Sequence, residues 1–293
     1  MQGRSELKNF AKDQKVADIS PRLKISAFKT FRGNMNALNK NPNIESVEID
    51  QELHALPFFR GGDSEEAGQN EQQLQKQQQR RLAEDTPYGI TMVKSAEVIS
   101  TAEADNRTPS PKKVCVVDTG YAVGHEDLPV LSETAEYGFS PYGDAELWYE
   151  DGHGHGTHCA GTIGAIGDNG VGVTSVNPDE STFSFFIGKG LTNSGSGTGA
   201  GVIAAVEACR DAGASVISMS LGGGGYSSTT NNLYNGLYKN DDILIIAAAG
   251  NDGNNALSYP ASYDAVMSVA AVDANKNKAG FSQYNNQVES KSM

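Results

Sequence analysis

The sequence predicts an α/β protein: a parallel sheet with helices covering both faces. Three observations lead there. Short apolar runs recur along the chain, each closed by a turn: Val114-Cys-Val-Val117, Thr182-Phe-Ser-Phe-Phe-Ile187, Val216-Ile-Ser-Met-Ser-Leu221, Ile243-Leu-Ile-Ile-Ala-Ala-Ala-Gly250 and Ala265-Val-Met-Ser-Val-Ala-Ala-Val272. Near-continuous apolar runs of this length mark strands buried on both faces. Helical spacing lies between them, and strand, helix, strand repeated in this way means a covered parallel sheet. Polar residues suited to chemistry follow the runs, and an open parallel sheet gathers its ligands beyond the carboxyl ends of its strands.

The elements follow in chain order. Residues 1–58 read as a small α+β unit: Leu23-Lys-Ile-Ser-Ala-Phe28 and Asn43-Ile-Glu-Ser-Val-Glu-Ile-Asp50 have strand-like spacing, with a short helix between them over residues 35–39. Residues 59–83 form a linker that becomes Gln-rich, with seven glutamines from Gln69 to Gln79, and then reaches Arg80-Arg81. That basic pair reads equally as an exposed cleavage point or as a solvated charge pair. From Glu84 to residue 293 the α/β pattern takes over. The run at 114–117 is a strand, residues 156–165 a helix despite their glycines, and 182–187 a strand. Residues 201–212 form an amphipathic helix with Val202, Ala205, Val206 and Cys209 on one face. Strands at 216–221, 243–248 and 265–272 follow, with a helix at 232–239.

Composition narrows the function. The 293 residues suit one large domain and a small one, and no apolar stretch is long enough to span a membrane. The formal net charge is -13. It is concentrated after residue 83, which argues against a nucleic-acid partner. Cys115, Cys159 and Cys209 make neither a disulfide scaffold nor a thiolate metal site, and all three are expected to be free thiols. The polar start, Met1-Gln-Gly-Arg-Ser-Glu, has no apolar signal-peptide core, so the protein is either intracellular or begins downstream of its true start.

The stretch around which the chain is organised is Asp151-Gly-His-Gly-His-Gly-Thr-His-Cys-Ala-Gly-Thr162, with His153, His155 and His158. Asp118 closes the first apolar run and Asn251 follows the fourth. An aspartate paired with a histidine suits general base catalysis, the carboxylate fixing the tautomer and stabilising the imidazolium. The Asn251 amide suits stabilisation of an oxyanion. Taken singly, Asp118 also suits a turn cap, His155 a structural histidine, and Asn251 a Gly-Asn-Asp-Gly turn.

Together the motifs Val-Val-Asp118-Thr-Gly, His155-Gly-Thr-His-Cys-Ala-Gly-Thr, Ser220-Leu-Gly-Gly and Ala-Ala-Gly-Asn251-Asp-Gly resemble the subtilisin-like serine proteases, in order and in context. The resemblance runs from Thr86-Pro-Tyr-Gly to Phe281-Ser. It implies a three-layer subtilisin-like fold and a serine endopeptidase that cleaves polypeptides by an Asp-His-Ser mechanism. Asp118 and His155 would be two triad members and Asn251 the oxyanion-hole side chain. Gly195, Ser196 and Gly197, with Ser220, Leu221 and Gly222, would be the two backbone segments that pair with an extended substrate. The glycines allow close approach, and open backbone groups bind any sequence.

The same resemblance implies a structural calcium site at Glu84, Asp127 and the loop of Gly167, Asn169, Val171 and Val173, whose oxygens are hard ligands suited to that ion. Glu84 stands where the family often has a glutamine, and a plain Gly-Asp-Asn-Gly surface turn remains the alternative. Residues 1–58 would be an inhibitory propeptide, and the protein would be extracellular or in the secretory pathway. The family's nucleophile segment, Gly-Thr-Ser-Met-Ala, does not occur, and Ser290 and Ser292 lack its context. The expectation is a truncated chain, with the C-terminal part of the fold missing and no activity of its own. Three rivals stand beside this reading: a pseudoprotease, a metal protein using His153, His155, His158 and Asp151, and a non-catalytic inhibitor or chaperone built on residues 1–58.

Overall fold

The structure, a computed structural model, describes residues 17–20, 22–27, 35, 38–42, 44–57, 84–104 and 111–291. The Gln-rich stretch and Arg80-Arg81 lie outside the described residues. The strands are β1 (Ala17–Ser20), β2 (Ile25–Ala27), β3 (Glu52–Ala55), β4 (Lys112–Asp118), β5 (Gly138–Phe139), β6 (Phe183–Lys189), β7 (Ser196–Thr198), β8 (Val216–Met219), β9 (Leu221–Gly222), β10 (Leu244–Ala248), β11 (Val266–Ala270) and β12 (Val288–Lys291). The helices are α1 (Tyr88–Val93), α2 (Ser95–Ala104), α3 (His155–Gly164), α4 (Gly199–Asp211) and α5 (Ser228–Asn240).

Seven strands pair in parallel, in the order β12-β11-β10-β8-β4-β6-β5. Strand periodicity sorts β4 between the two faces. Cys115 and Val117 join the core beneath α4 and α5, with Val202, Val206, Leu233 and Leu237. Val116 joins the opposite core, with Cys159 and Ala160 of α3 and with Trp148. The sheet with α3 on one face and α4 and α5 on the other is the expected three-layer α/β architecture. Asp118, two residues after Val116, falls on the α3 side. That parity is what carries the aspartate to the helix that begins with His155.

The outcome differs from the sequence reading in five places. Cys115 and Cys209 form a disulfide, with Cα atoms 5.8 Å apart, and only Cys159 is a free, buried thiol. Residues 115 and 209 are far apart in sequence, but both face the interior between sheet and α4. The run at 216–221 divides at Ser220: β8 belongs to the large sheet and β9 to a second, three-stranded one. Residues 44–50 form no regular strand. The strand follows them, as β3. Helix α5 begins at Ser228 rather than at 232, because the Ser227 hydroxyl caps it by accepting from the Thr230 amide. The α1–α2 pair was not anticipated.

The leading segment lies against the body of the protein. Strand β1, antiparallel to β2, packs on α4, and Ile19 and Ile25 lie against the main core. Ser20 donates to the Glu207 carboxylate (3.1 Å), and Arg22 reaches Asp241 at 3.3 Å. Met35 and residues 38–39 are helical, with Leu38 buried.

Candidate active site

Asp118 and His155 meet at the carboxyl edge of the sheet. His155 opens α3, after Gly154 at φ 86°. Its Nδ1 lies 2.7 Å from Asp118 Oδ1, and both side chains are buried. Asp118 Oδ1 also accepts from the Thr119 amide at 2.8 Å. Helix α3 can come this close only because residue 156 is glycine, where a Cβ would stand 2.3 Å from the Gly120 carbonyl oxygen.

Asp151 organises the approach to the histidine. Its Oδ1 accepts from the Thr119 hydroxyl and the Gly154 amide, and its Oδ2 from the amide and hydroxyl of Thr157. Burial would raise the pKa of this carboxyl, but the hydrogen bonds from Thr157, Gly154 and Thr119 outweigh it and hold the pKa below the ordinary aspartate value. The sequence reading considered Asp151 only as a metal ligand. The available signal was an aspartate just ahead of a helix start, a position that attracts a carboxylate.

The other nitrogen of His155, Nε2, lies 2.7 Å from the Leu56 carbonyl oxygen. Both ring nitrogens therefore face acceptors, and only the imidazolium can donate to both. Burial works against the charged ring, but the hydrogen bond and charge of Asp118, with the Leu56 carbonyl, hold the pKa above the ordinary histidine value. Cys159 Sγ sits 3.7 Å from His155 Nδ1. Burial and the Asp118 charge push that thiol well up, so it stays protonated and is a poor nucleophile.

Asn251 stands beyond β10, after Gly250 at φ 114°. Its Nδ2 donates to the Pro57 carbonyl at 2.9 Å. The chain leading to Leu56 and Pro57 is β3, which lies antiparallel between β7 and β9. Leu53 is opposite Gly197, His54 opposite both Ser196 and Gly222, and Ala55 opposite Leu221. The Ala55 amide donates to the Gly195 carbonyl at 2.8 Å and the Leu56 amide to the Ser220 carbonyl at 3.0 Å. The two segments singled out in the sequence thus flank one cleft, and the chain's own residues 52–57 lie in it as an extended strand.

Polar contacts extend that seat. Asp50 accepts from the Ala200 amide at the start of α4 (2.8 Å). Glu48 accepts from Ser227, Ser228 and Thr229 at the start of α5. Carboxylates at helix N-termini satisfy free amides and complement the dipole. Burial alone would raise the Glu48 pKa, but these bonds lower it.

The histidine cluster does not assemble as a metal site. Among the described residues, the metal-ligating side chains that converge in a group of three are Asp118, His155 and Cys159. His153 and His158 are outside it, and both are exposed.

The loop expected to hold calcium closes around Asp127, which is buried. Its carboxylate accepts from Asn169 Nδ2 and the Val173 amide, each at 2.9 Å. Gly172, at φ 61°, leaves it room: a Cβ there would lie 2.0 Å from Asp127 Oδ2. The Asp85 amide donates to the Gly172 carbonyl and the Thr174 amide to the Asp85 carbonyl, which seats Glu84 and Asp85 beside this loop. Among the described residues Asp127 has no ion-pair partner; its carboxylate is met by N–H groups, and Asn169 Oδ1 accepts from the Val171 amide in the same loop.

Comparison with known proteins gives the lineage. The subtilase family profile matches residues 111–293, more than half of the chain. The chain belongs to the subtilase family. It is 38% identical to Subtilisin DY of Bacillus licheniformis over 211 residues, covering 71% of this chain and 72% of that protein. It is 36% identical to Thermitase of Thermoactinomyces vulgaris over 202 residues, covering 69% of this chain and 68% of that one. Among solved structures it resembles the psychrophilic subtilisin-like protease Apa1 from the Antarctic psychrotroph Pseudoalteromonas sp. AS-11. The TM-score there is 0.60 at 40% identity, over 71% of this chain and 46% of the other.

Proposed function

We propose that this subtilase is a serine endopeptidase whose cleft is filled by its own leading segment. One observation carries the reading. Residues 52–57 lie as a strand in the cleft, with successive carbonyls on the two groups assigned to chemistry, Leu56 on His155 and Pro57 on Asn251. A substrate strand would take the same backbone bonds from Gly195, Ser196, Gly197, Ser220, Leu221 and Gly222.

In the reaction Asp118 keeps the proton on His155 Nδ1, so that Nε2 of the neutral ring presents its lone pair to the cleft. Nε2 accepts the proton of a serine hydroxyl as the oxygen attacks the scissile carbonyl, and later returns it to the leaving amine. Asn251 Nδ2 donates to the oxyanion formed in between. The serine is that of a Gly-Thr-Ser-Met-Ala-type segment, which residues 1–293 do not contain.

With the segment seated, Leu56 occupies Nε2 and blocks this step. Residues 1–58 therefore act as an intramolecular inhibitor, released after cleavage in the linker, with Arg80-Arg81 as the candidate point. Calcium is proposed as a structural ion held by Asp127, Asn169, the carbonyls of Gly167, Val171 and Val173, and Glu84. It would tie residues 84–85 to the loop after α3. The Cys115–Cys209 disulfide favours an oxidising, secretory or extracellular setting, and among the described residues no helix is long and apolar enough to cross a membrane.

A fluorophosphonate probe tests the assignment. Residues 1–293 are expected to remain unlabelled, and the same chain joined to a Gly-Thr-Ser-Met-Ala-type segment to be labelled at that serine once residues 1–83 are removed. Stoichiometric labelling of residues 1–293 would place the nucleophile elsewhere. No labelling of either form would make the protein a pseudoprotease. Calcium is tested separately: chelation should lower the thermal midpoint, since a ligand of the native state alone stabilises it. Asp127→Asn should blunt that response, and an unchanged midpoint removes the ion.

A further inference from the structure

Lys189 closes β6 and is fully buried. It stands in register with Asp118 on the neighbouring strand. An apolar residue would be expected at the end of such a strand, because a buried ammonium is costly unless its protons are all bonded and its charge is met. Here both conditions hold. Nζ donates to the carbonyl of Thr119, to the carbonyl of Glu150 (3.1 Å) and to Asn193 Oδ1 (2.8 Å), with the Glu146 carboxylate at 3.3 Å.

Each of these partners leads to a different part of the site. Thr119 accepts from the Gly156 amide of α3 and donates through its hydroxyl to Asp151, and its own amide holds Asp118. Glu150 immediately precedes Asp151. Asn193 Oδ1 also accepts from the Gly152 amide, and the Asn193 amide donates to Glu146. Two residues further on, Gly195 supplies the carbonyl that holds Ala55 in the cleft. Gly120, at φ 125°, keeps this junction open. A Cβ there would lie 2.9 Å from the Glu150 carbonyl oxygen and 3.3 Å from Lys189 Nζ.

We propose that Lys189 is a positioning residue: its ammonium locks the turn carrying Asp118 to the cleft wall at 193–195, so that the base and the bound strand keep a fixed relation. The claim rests on the assignment of Asp118 and His155 as the base pair. Lys189 touches neither the reacting atoms nor the seated strand and acts through Thr119 and Asn193. Fully bonded buried polar networks of this kind select one geometry over near alternatives.

The test uses the whole chain and two nuclear magnetic resonance readouts. One is the low-field proton of His155 Nδ1, which reports its bond to Asp118. The other is hydrogen exchange at the Ala55 amide, which reports the cleft wall. Lys189→Met keeps the aliphatic stem and removes the charge. It should broaden or abolish the Nδ1 signal and speed Ala55 exchange at least about tenfold, with the amides of Ile217 and Ile245 as protected as before. Asn193→Ala should speed Ala55 exchange alone and leave the Nδ1 proton in place.

Retention of both signals in Lys189→Met overturns the proposal. If that variant loses protection throughout the sheet, Asn193→Ala decides alone: faster exchange at Ala55 with the Nδ1 signal intact supports the link, and unchanged exchange refutes it. Absence of the Nδ1 signal from the unmodified chain would instead overturn the base-pair assignment, and this proposal with it.

Discussion

The body of the protein and the segment lying in its cleft are held by different means. The body, residues 111–291, has a parallel sheet between two apolar cores, with a disulfide between sheet and helix. The segment at residues 44–57 has one short strand and one buried apolar side chain, Leu53, which joins the edge of the main core with Ala55 packed against it. Its other attachments are backbone bonds to cleft edges and carboxylates on helix starts. A structure of the first kind draws its stability from its own cores. One of the second kind is ordered where its partner offers groups to bind, and it can leave without unfolding that partner.

Substitutions should separate the two. The largest effect is expected from Leu53→Ala, which removes the segment's buried side chain. Large-to-small changes at such sites cost about 2–5 kcal/mol. Here the loss should appear as release of residues 44–57, seen as increased proteolysis of the segment, with the body's thermal midpoint nearly unchanged. A drop in the body's midpoint with the segment still protected would mean that the two are one folding unit.

The Cys115→Ala, Cys209→Ala pair should do the reverse, costing the body about 2–4 kcal/mol as removal of a long-loop disulfide does. Denaturant unfolding checks it, and a midpoint equal to that of the unmodified chain would count against the disulfide. Asp50→Ala, which removes one cap, should weaken the segment's hold by only about 0.5–2 kcal/mol. Protease protection of the segment should fall less than in Leu53→Ala, and a larger fall would reverse the assigned order.

The comparison also shows what a sequence can reveal. The strands of the body were legible because continuous apolar runs imply burial on both faces, and the Asp118–His155 pairing followed from motif context. Gly195–Gly197 and Ser220–Gly222, singled out by family context, are the residues that flank β3. The Cys115–Cys209 bond was not, since its partners meet only once α4 packs on β4. Nor was the role of Lys189, whose meaning depends on carbonyls from two other segments. The segment was misplaced by several residues. Glu48 and Asp50 sit in an alternating pattern that suits a strand, but their side chains bind helix starts, and pairing begins only at Glu52. Such contacts depend on a docking partner, which local spacing does not encode.

The central claim is that the chain's own strand sits on its catalytic base, and titration of His155 tests it most directly. Burial works against the imidazolium, but the hydrogen bond and charge of Asp118, with the Leu56 acceptor that docking places on Nε2, hold the His155 pKa above the ordinary histidine value. A group whose pKa is raised by binding favours the bound form at pH below its free value and loses that contribution as pH rises through the bound value. The account therefore predicts that His155, followed by nuclear magnetic resonance in the full chain, titrates above the ordinary histidine range, and that Leu53→Ala lowers its midpoint by releasing Leu56. It also predicts that protease protection of the segment weakens as pH rises through the higher midpoint. Equal His155 midpoints in the two proteins, with the segment shown to be released in the variant, would contradict the account.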